Sequence, residues 1–212
     1  MNAVTFDAYH SYDDLHLILS KKTIGTPSPK TEIIDIPGGD GVLDMTEFFG
    51  KTKYNNRTLT FEFSVIGERS EFMEVFATVQ QLLHGRKMTI QLNDDPEWFY
   101  TGRISVMEFE TTQNTGRFMV ECDCEPYKQS IHTTTVSQTV SSNANIVLSN
   151  DKMPAVPTIT TNAEFLISYG GYNDLYPAGT FAIPELELWE GVNQVYVEGN
   201  GKISFTYRKG RL

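Results

Sequence analysis

Thr58-Leu-Thr-Phe-Glu-Phe-Ser-Val65, followed by Ser70 to His84 and then Met88-Thr-Ile-Gln-Leu92, is the stretch whose reading decides the fold. Leu59, Phe61, Phe63 and Val65 fall on one side of the first segment and Thr58, Thr60, Glu62 and Ser64 on the other. That period of two is a half-buried strand. From Ser70 the period changes. Phe72, Val75, Phe76, Val79, Leu82 and Leu83 recur at three and four residues, which predicts one apolar helix face with Phe76 and Val79 in the core. Ser70 suits the N-cap, Glu71 and Glu74 the first turn, and Gly85-Arg86-Lys87 the stop. Met88, Ile90 and Leu92 then restart the alternation. A helix packed on a sheet follows. Its apolar face carries no catalytic group.

Working outward, the N-terminal part reads as strands and turns. Strands are expected at Val4–Tyr9, Leu15–Leu19, Glu32–Ile36 and from Val42 to Met45, with a turn at His10–Asp14. Thr26-Pro-Ser-Pro29 is an extended loop. Pro37-Gly-Gly-Asp-Gly41 is a tight turn whose glycines permit positive φ. A phosphate loop would need Lys-Ser/Thr opening a helix after such glycines. Val42-Leu43-Asp44 follows instead, and the acid would repel phosphate. Asn93-Asp-Asp-Pro96 is a turn with solvated acids rather than a metal or acid–base site. Trp98–Glu110 is a long strand, and Val106 beside Met107 breaks its phase, as a bulge or two-sided coverage would. Phe118, Val120, Cys122 and Cys124 alternate in the next strand, which Pro126 ends.

Composition shifts at Lys128. Ser130 to Asn145 is rich in Thr, Ser, Gln and Asn and reads as a connector or an exposed strand pair. Short strands are expected at Thr158–Thr161, Phe165–Tyr169, Thr180–Ile183, Glu185–Trp189, Gln194–Val197 and Lys202–Tyr207. Glu190-Gly191 and Gly199-Asn200-Gly201 read as hairpin turns, so this half predicts a small antiparallel sandwich. The fold class expected is mainly β, with domains at residues 1–128 and 129–212.

The chain has 212 residues, with 17 basic against 27 acidic side chains and a formal charge of −10. That balance argues against nucleic acid or an anionic membrane as the principal partner, because phosphate binding relies on clustered Lys and Arg. No apolar run approaches the roughly 18 residues that span a bilayer. Nor does the N-terminus read as a signal peptide. Cys122 and Cys124, two apart in one strand, are poorly placed for a disulfide and insufficient for zinc, so buried reduced thiols are expected. No catalytic, cofactor-binding or metal-ligating residues stand out.

Taken in order, Ile36-Pro-Gly-Gly-Asp-Gly-Val-Leu-Asp44, Tyr54-Asn-Asn-Arg57 leading into a strand, Leu82-Leu-His-Gly85 and Cys124-Glu-Pro-Tyr127 resemble the distal tail protein family of long-tailed phages. Leu148-Ser-Asn-Asp-Lys-Met-Pro-Ala-Val-Pro157, Leu186-Glu-Leu-Trp-Glu-Gly-Val-Asn193 and Ile203 to Leu212 resemble a short form of that family's galectin-like C-terminal domain. The resemblance implies a tail-tube-like β-barrel or sandwich with one flanking helix, and no enzyme activity. It implies a homo-hexameric ring at the virion tail tip, assembled in the host cytoplasm. The ring would join the tail-tube protein to the tail hub, near receptor-binding proteins. DNA would pass through it without specific binding; Glu32, Asp35, Asp40 and Asp44 are candidates for lining that hole.

A rival reading is a carbohydrate-binding module. If Glu185–Trp189 and Gln194–Val197 pair as a hairpin, Trp189 and Tyr196 share an exposed face that stacks on sugar rings. The bland counterpart is an aromatic pair stabilising a hairpin or a subunit contact. A glycosidase would need two convergent carboxylates, and no pair is singled out.

Overall fold

A computed structural model describes residues 3–48, 50–65, 71–112 and 115–212. The chain divides into two compact units, Met1–Pro126 and Tyr127–Leu212.

In the first unit the strands are β1 (Val4–Phe6), β2 (Tyr9–His10), β3 (Leu17–Ile24), β4 (Ile33–Asp35), β5 (Val42–Asp44) and β6 (Arg57–Val65). The helix α1 (Phe72–Leu83) follows, then β7 (Lys87–Leu92), β8 (Trp98–Thr111) and β9 (Gly116–Cys124). Seven strands pair antiparallel in the order β3-β6-β9-β8-β7-β1-β2. Leu59, Phe61, Phe63 and Val65 of β6 are buried as the alternation requires, and so are Met88, Ile90 and Leu92 of β7.

The sheet is rolled. Phe6 on β1 and Phe61 on β6 lie four strands apart, about 19 Å in a flat sheet at ~4.8 Å per strand. Their ring centroids are 5.9 Å apart at 84°, an edge-to-face contact. Twist and bulges supply this curvature. One bulge falls between Leu19 and Lys21 of β3, the other between Val106 and Phe109 of β8. The second is the phase break expected at Val106 and Met107. Among the described residues the edge strands β2 and β3 share no ladder, so the sheet is open where a closed barrel was one expectation.

The helix buries Phe72, Val79 and Leu83 against the rolled face, while Val75, Phe76 and Leu82 are partly buried. Phe76 is therefore not the core residue expected; its ring stacks on Phe109 at 4.6 Å at the margin. Ser70 lies outside the described residues. Glu71 holds the N-cap position with no side-chain cap bond. Gly85 takes φ +77°, and its N–H donates to the Ile104 carbonyl at 2.7 Å, which turns the chain off the helix and onto β8.

The N-terminal strand is shorter than expected: Asp7, at φ +51°, breaks Val4–Tyr9 into β1 and β2. Cys122 and Cys124 are free and buried, as expected. Burial pushes both thiols up, Cys124 to about 12.

The second unit is a sandwich. One antiparallel sheet runs β10 (Lys128–Val140), β17 (Gly201–Arg211), β12 (Thr158–Thr161), β15 (Gly179–Ala182). The other runs β11 (Asn143–Asn150), β16 (Gly191–Gly199), β13 (Phe165–Tyr169), β14 (Tyr172–Tyr176). Ile146, Ile167, Val195 and Val197 of one sheet share a core with Val140, Ile159, Ile203 and Phe205 of the other. The Ser/Thr-rich stretch after Lys128 is strand, not connector. Its outward hydroxyls pair across strands, Ser137 with Ser204 at 2.8 Å and Thr135 with Thr206 at 3.2 Å.

Two expected hairpins are absent. Glu185–Trp189 forms no strand beyond a single bridge, Ala155 to Leu188. Gly199-Asn200-Gly201 carries the chain from β16 in one sheet to β17 in the other. A Cβ on Gly199 would lie 2.5 Å from the Phe165 ring, so only glycine fits that corner.

Candidate assembly surface

The feature that stands apart from both cores is the β4–β5 hairpin. Its register is Ile33 to Asp44, Ile34 to Leu43 and Asp35 to Val42. The tip is closed by Gly38 at φ +76° and Gly41 at φ +80°, with the Gly39 N–H donating to the Ile36 carbonyl at 3.1 Å. At the base, the Thr46 hydroxyl and then its backbone N–H hold the Asp44 carboxyl below its ordinary range. The Thr46 N–H to Asp44 Oδ1 distance is 2.9 Å.

The local sequence dictates this hairpin: the β-branched Ile33 and Ile34, a glycine turn, then Val42 and Leu43. It does not dictate burial. Ile33, Ile34, Ile36, Val42, Leu43 and Phe48 are all between 47% and 68% exposed. Two strands in isolation are marginal in water, and a contiguous apolar patch marks an interaction surface.

Period two sorts the hairpin into unlike faces. Ile34, Ile36 and Leu43 share one. Ile33 and Val42 share the other with Asp35 and Asp44. Of the acids expected to line a ring's hole, Glu32, Asp35 and Asp44 sit on or beside these strands and Asp40 at the tip; all four are exposed.

A second apolar surface lies between α1 and the bulged end of β8. Met73 and Met107 are 63% and 43% exposed there. With Phe76, Gln80 and Phe109 they line an open groove. The bulge creates it, because Met107 and Glu108 both turn outward where a regular strand would bury one.

The sequence-predicted aromatic residues fall in the second unit. Tyr196 sits in a cross-strand row, Asn145–Tyr196–Ser168–Asn173, on the outer face of its sheet. Its hydroxyl donates to Glu198 Oε1 at 2.7 Å, and the Ser168 hydroxyl donates to Asn173 Oδ1 at 2.8 Å. Trp189 is half-buried outside any strand. Asn193 fixes its backbone, accepting the Trp189 N–H at 3.0 Å and donating to the Trp189 carbonyl at 2.7 Å. The β16 strand that carries Tyr196 pairs with β11 and β13, so the two aromatics do not belong to one hairpin.

Elsewhere, Asp94 of the acidic turn is ion-paired with Lys22, which lowers its pKa. Among the described residues no group of His, Cys, Asp or Glu has the geometry of a metal site. No helix among them is long and apolar enough to cross a membrane.

No protein family matches the sequence, and no curated protein does. The fold does have a counterpart among solved structures. The crystal structure of SPP1 Dit (gp 19.1) is described as a paradigm of the hub adsorption apparatus in phages that infect Gram-positive bacteria. It superposes with a TM-score of 0.70 at 14% identity, covering 100% of both chains. The two proteins share one fold. At that identity the likeness is one of architecture, running through both units from end to end.

Proposed function

We propose that this chain is a structural protein of the tail tip of a long-tailed phage or prophage. In this reading six copies form a ring that joins the tail tube to the tail hub and host-adsorption device. Receptor-binding proteins lie nearby, and DNA passes through the ring without being held. The observation that carries the proposal is the end-to-end likeness to SPP1 Dit, a hub adsorption protein, over both units rather than one portable domain. The uncovered β4–β5 hairpin adds independent support, because a chain that buries two complete cores yet leaves Ile33, Ile34, Ile36, Val42 and Leu43 exposed on one hairpin is built to be covered by another surface. The formal charge of −10 per chain suits a conduit for DNA, since a basic lining would retain phosphate. Antibody-gold labelling of phage particles bearing this protein tests the assignment. Label at the distal end of the tail is expected; label on capsids, or none on tails, would refute it.

A second reading, a carbohydrate contact in the C-terminal unit, is favoured by one observation. Tyr196 is flanked by Asn145 and Ser168 on neighbouring strands, an aromatic ring among hydroxyl and amide groups as sugar recognition requires.

A further inference from the structure

We propose that the Ile34–Ile36–Leu43 face of the β4–β5 hairpin seats in the groove between α1 and β8 of a second copy of this chain. Met73, Phe76, Met107 and Phe109 would receive it. The inference rests on the ring-forming reading and supplies its contact. Four observations lead to it.

The hairpin needs a cover. Ile34, Ile36 and Leu43, the residues of the face that would seat, are 49%, 47% and 49% exposed, an apolar strip that the chain's own core leaves uncovered.

The groove is a suitable receptor. Two partly exposed methionines flank the Phe76–Phe109 stack, and methionine is unbranched and polarizable enough to mould itself to branched aliphatic side chains.

Charge selects the inserted face. Exposed Glu108 lines the groove on β8, and Glu110 follows two residues along the strand. A hairpin inserted by its other face would bring Asp35 and Asp44 against them, like charge on like. The Ile34–Leu43 face carries no acid.

The occupant is another copy of this chain. Among the described residues the groove is open and lined by no hairpin residue, and the hairpin is exposed. Every copy thus offers one donor and one acceptor that differ in structure. Such a contact is heterologous, and repeated head to tail it makes a ring where its rotation closes and an open filament where it does not; the ring-forming reading requires closure.

The test uses two single-cysteine variants of the full chain, Leu43→Cys and Met107→Cys, one carrying a size tag. They are mixed and mildly oxidised. Both positions are exposed, and the native Cys122 and Cys124 thiols are buried with their pKa values raised, so they stay silent. The control pair replaces Met107→Cys with Val147→Cys on β11, which is no less exposed. Circular dichroism checks each fold, and sizing reports assembly. A tagged–untagged disulfide dimer from Leu43→Cys with Met107→Cys, absent from the control pair and lost on reduction, is expected. Rings that form without this cross-link overturn the groove assignment and leave the ring reading standing. Folded variants and wild type that remain monomeric without cross-linking, both alone and mixed with the tail-tube and hub proteins, overturn both.

Discussion

The rolled first sheet makes a pairwise prediction. Phe6 and Phe61 are both fully buried, and their rings meet edge to face at 5.9 Å only because the intervening strands curl. Phe6→Leu and Phe61→Leu each remove the aromatic edge while keeping most of the apolar volume. Each should destabilise the first unit by about 1–2 kcal/mol, below the ~3–5 kcal/mol of Phe→Ala. The double variant should lose less than the sum. The shortfall is the aromatic pair itself, about 0.5–1.5 kcal/mol. The chain has two tryptophans, Trp98 in the first unit and Trp189 in the second, so a Trp189→Phe background lets fluorescence follow the first unit alone during urea unfolding. Two compact units need not unfold together, which makes that single reporter necessary. Additivity within about 0.3 kcal/mol would mean that the rings do not touch and the sheet is not rolled.

Other expectations follow from single sites. Gly102 faces Cys124 across the β8–β9 ladder, and a Cβ there would lie 2.5 Å from the Cys124 Sγ and 2.7 Å from the Asp123 carbonyl; Gly102→Ala should cost about 1–3 kcal/mol in the same titration, and an unchanged midpoint would refute that packing. The Cys124 thiol is raised from 9.0 to about 12 in the folded chain, so its stabilising contribution is complete below pH 9 and is lost as pH rises toward 12, because the unfolded state sheds its proton first. Unfolding midpoints should therefore fall from about pH 9 upward, and thiol reagents should react only on unfolding; fast labelling of the native protein would contradict both. Trp189→Ala should lower stability more than glycan binding, since it removes a half-buried indole from a segment that Asn193 holds in place, whereas Tyr196→Ala should leave the fold intact; a glycan-array signal abolished by Tyr196→Ala would promote the carbohydrate reading.

Where one face of an element is buried in the chain's own core, the sequence pattern was sufficient. The alternation of β6 and β7, the 3.6 period of α1 and the phase break in β8 all appear in the structure. The pattern misled where burial is incomplete or topology intervenes. Strand β14 was missed because Tyr172–Tyr176 lies at a sheet edge with no fully buried residue, so no period marks it. Leu186 and Leu188 are buried as their alternation suggested, yet they pack from an irregular segment, because burial fixes a side chain's direction and not its backbone pairing. Gly199-Asn200-Gly201 has hairpin composition, but crossing between two sheets needs a tight turn just as pairing does. The candidate site was half legible. Ile33–Asp35, the glycine turn and Val42–Asp44 read correctly as strand, turn and strand. Their exposure did not, because an apolar strand has the same sequence whether its own core or another chain covers it.

The most direct test of the assembly reading is the mass of the particle in solution, measured by mass photometry across a concentration series, alone and with the tail-tube and hub proteins. Six chains of 24.0 kDa predict a species of about 144 kDa, seen as a six-fold ring in negative stain. A folded species that stays at 24.0 kDa under every one of those conditions would contradict it.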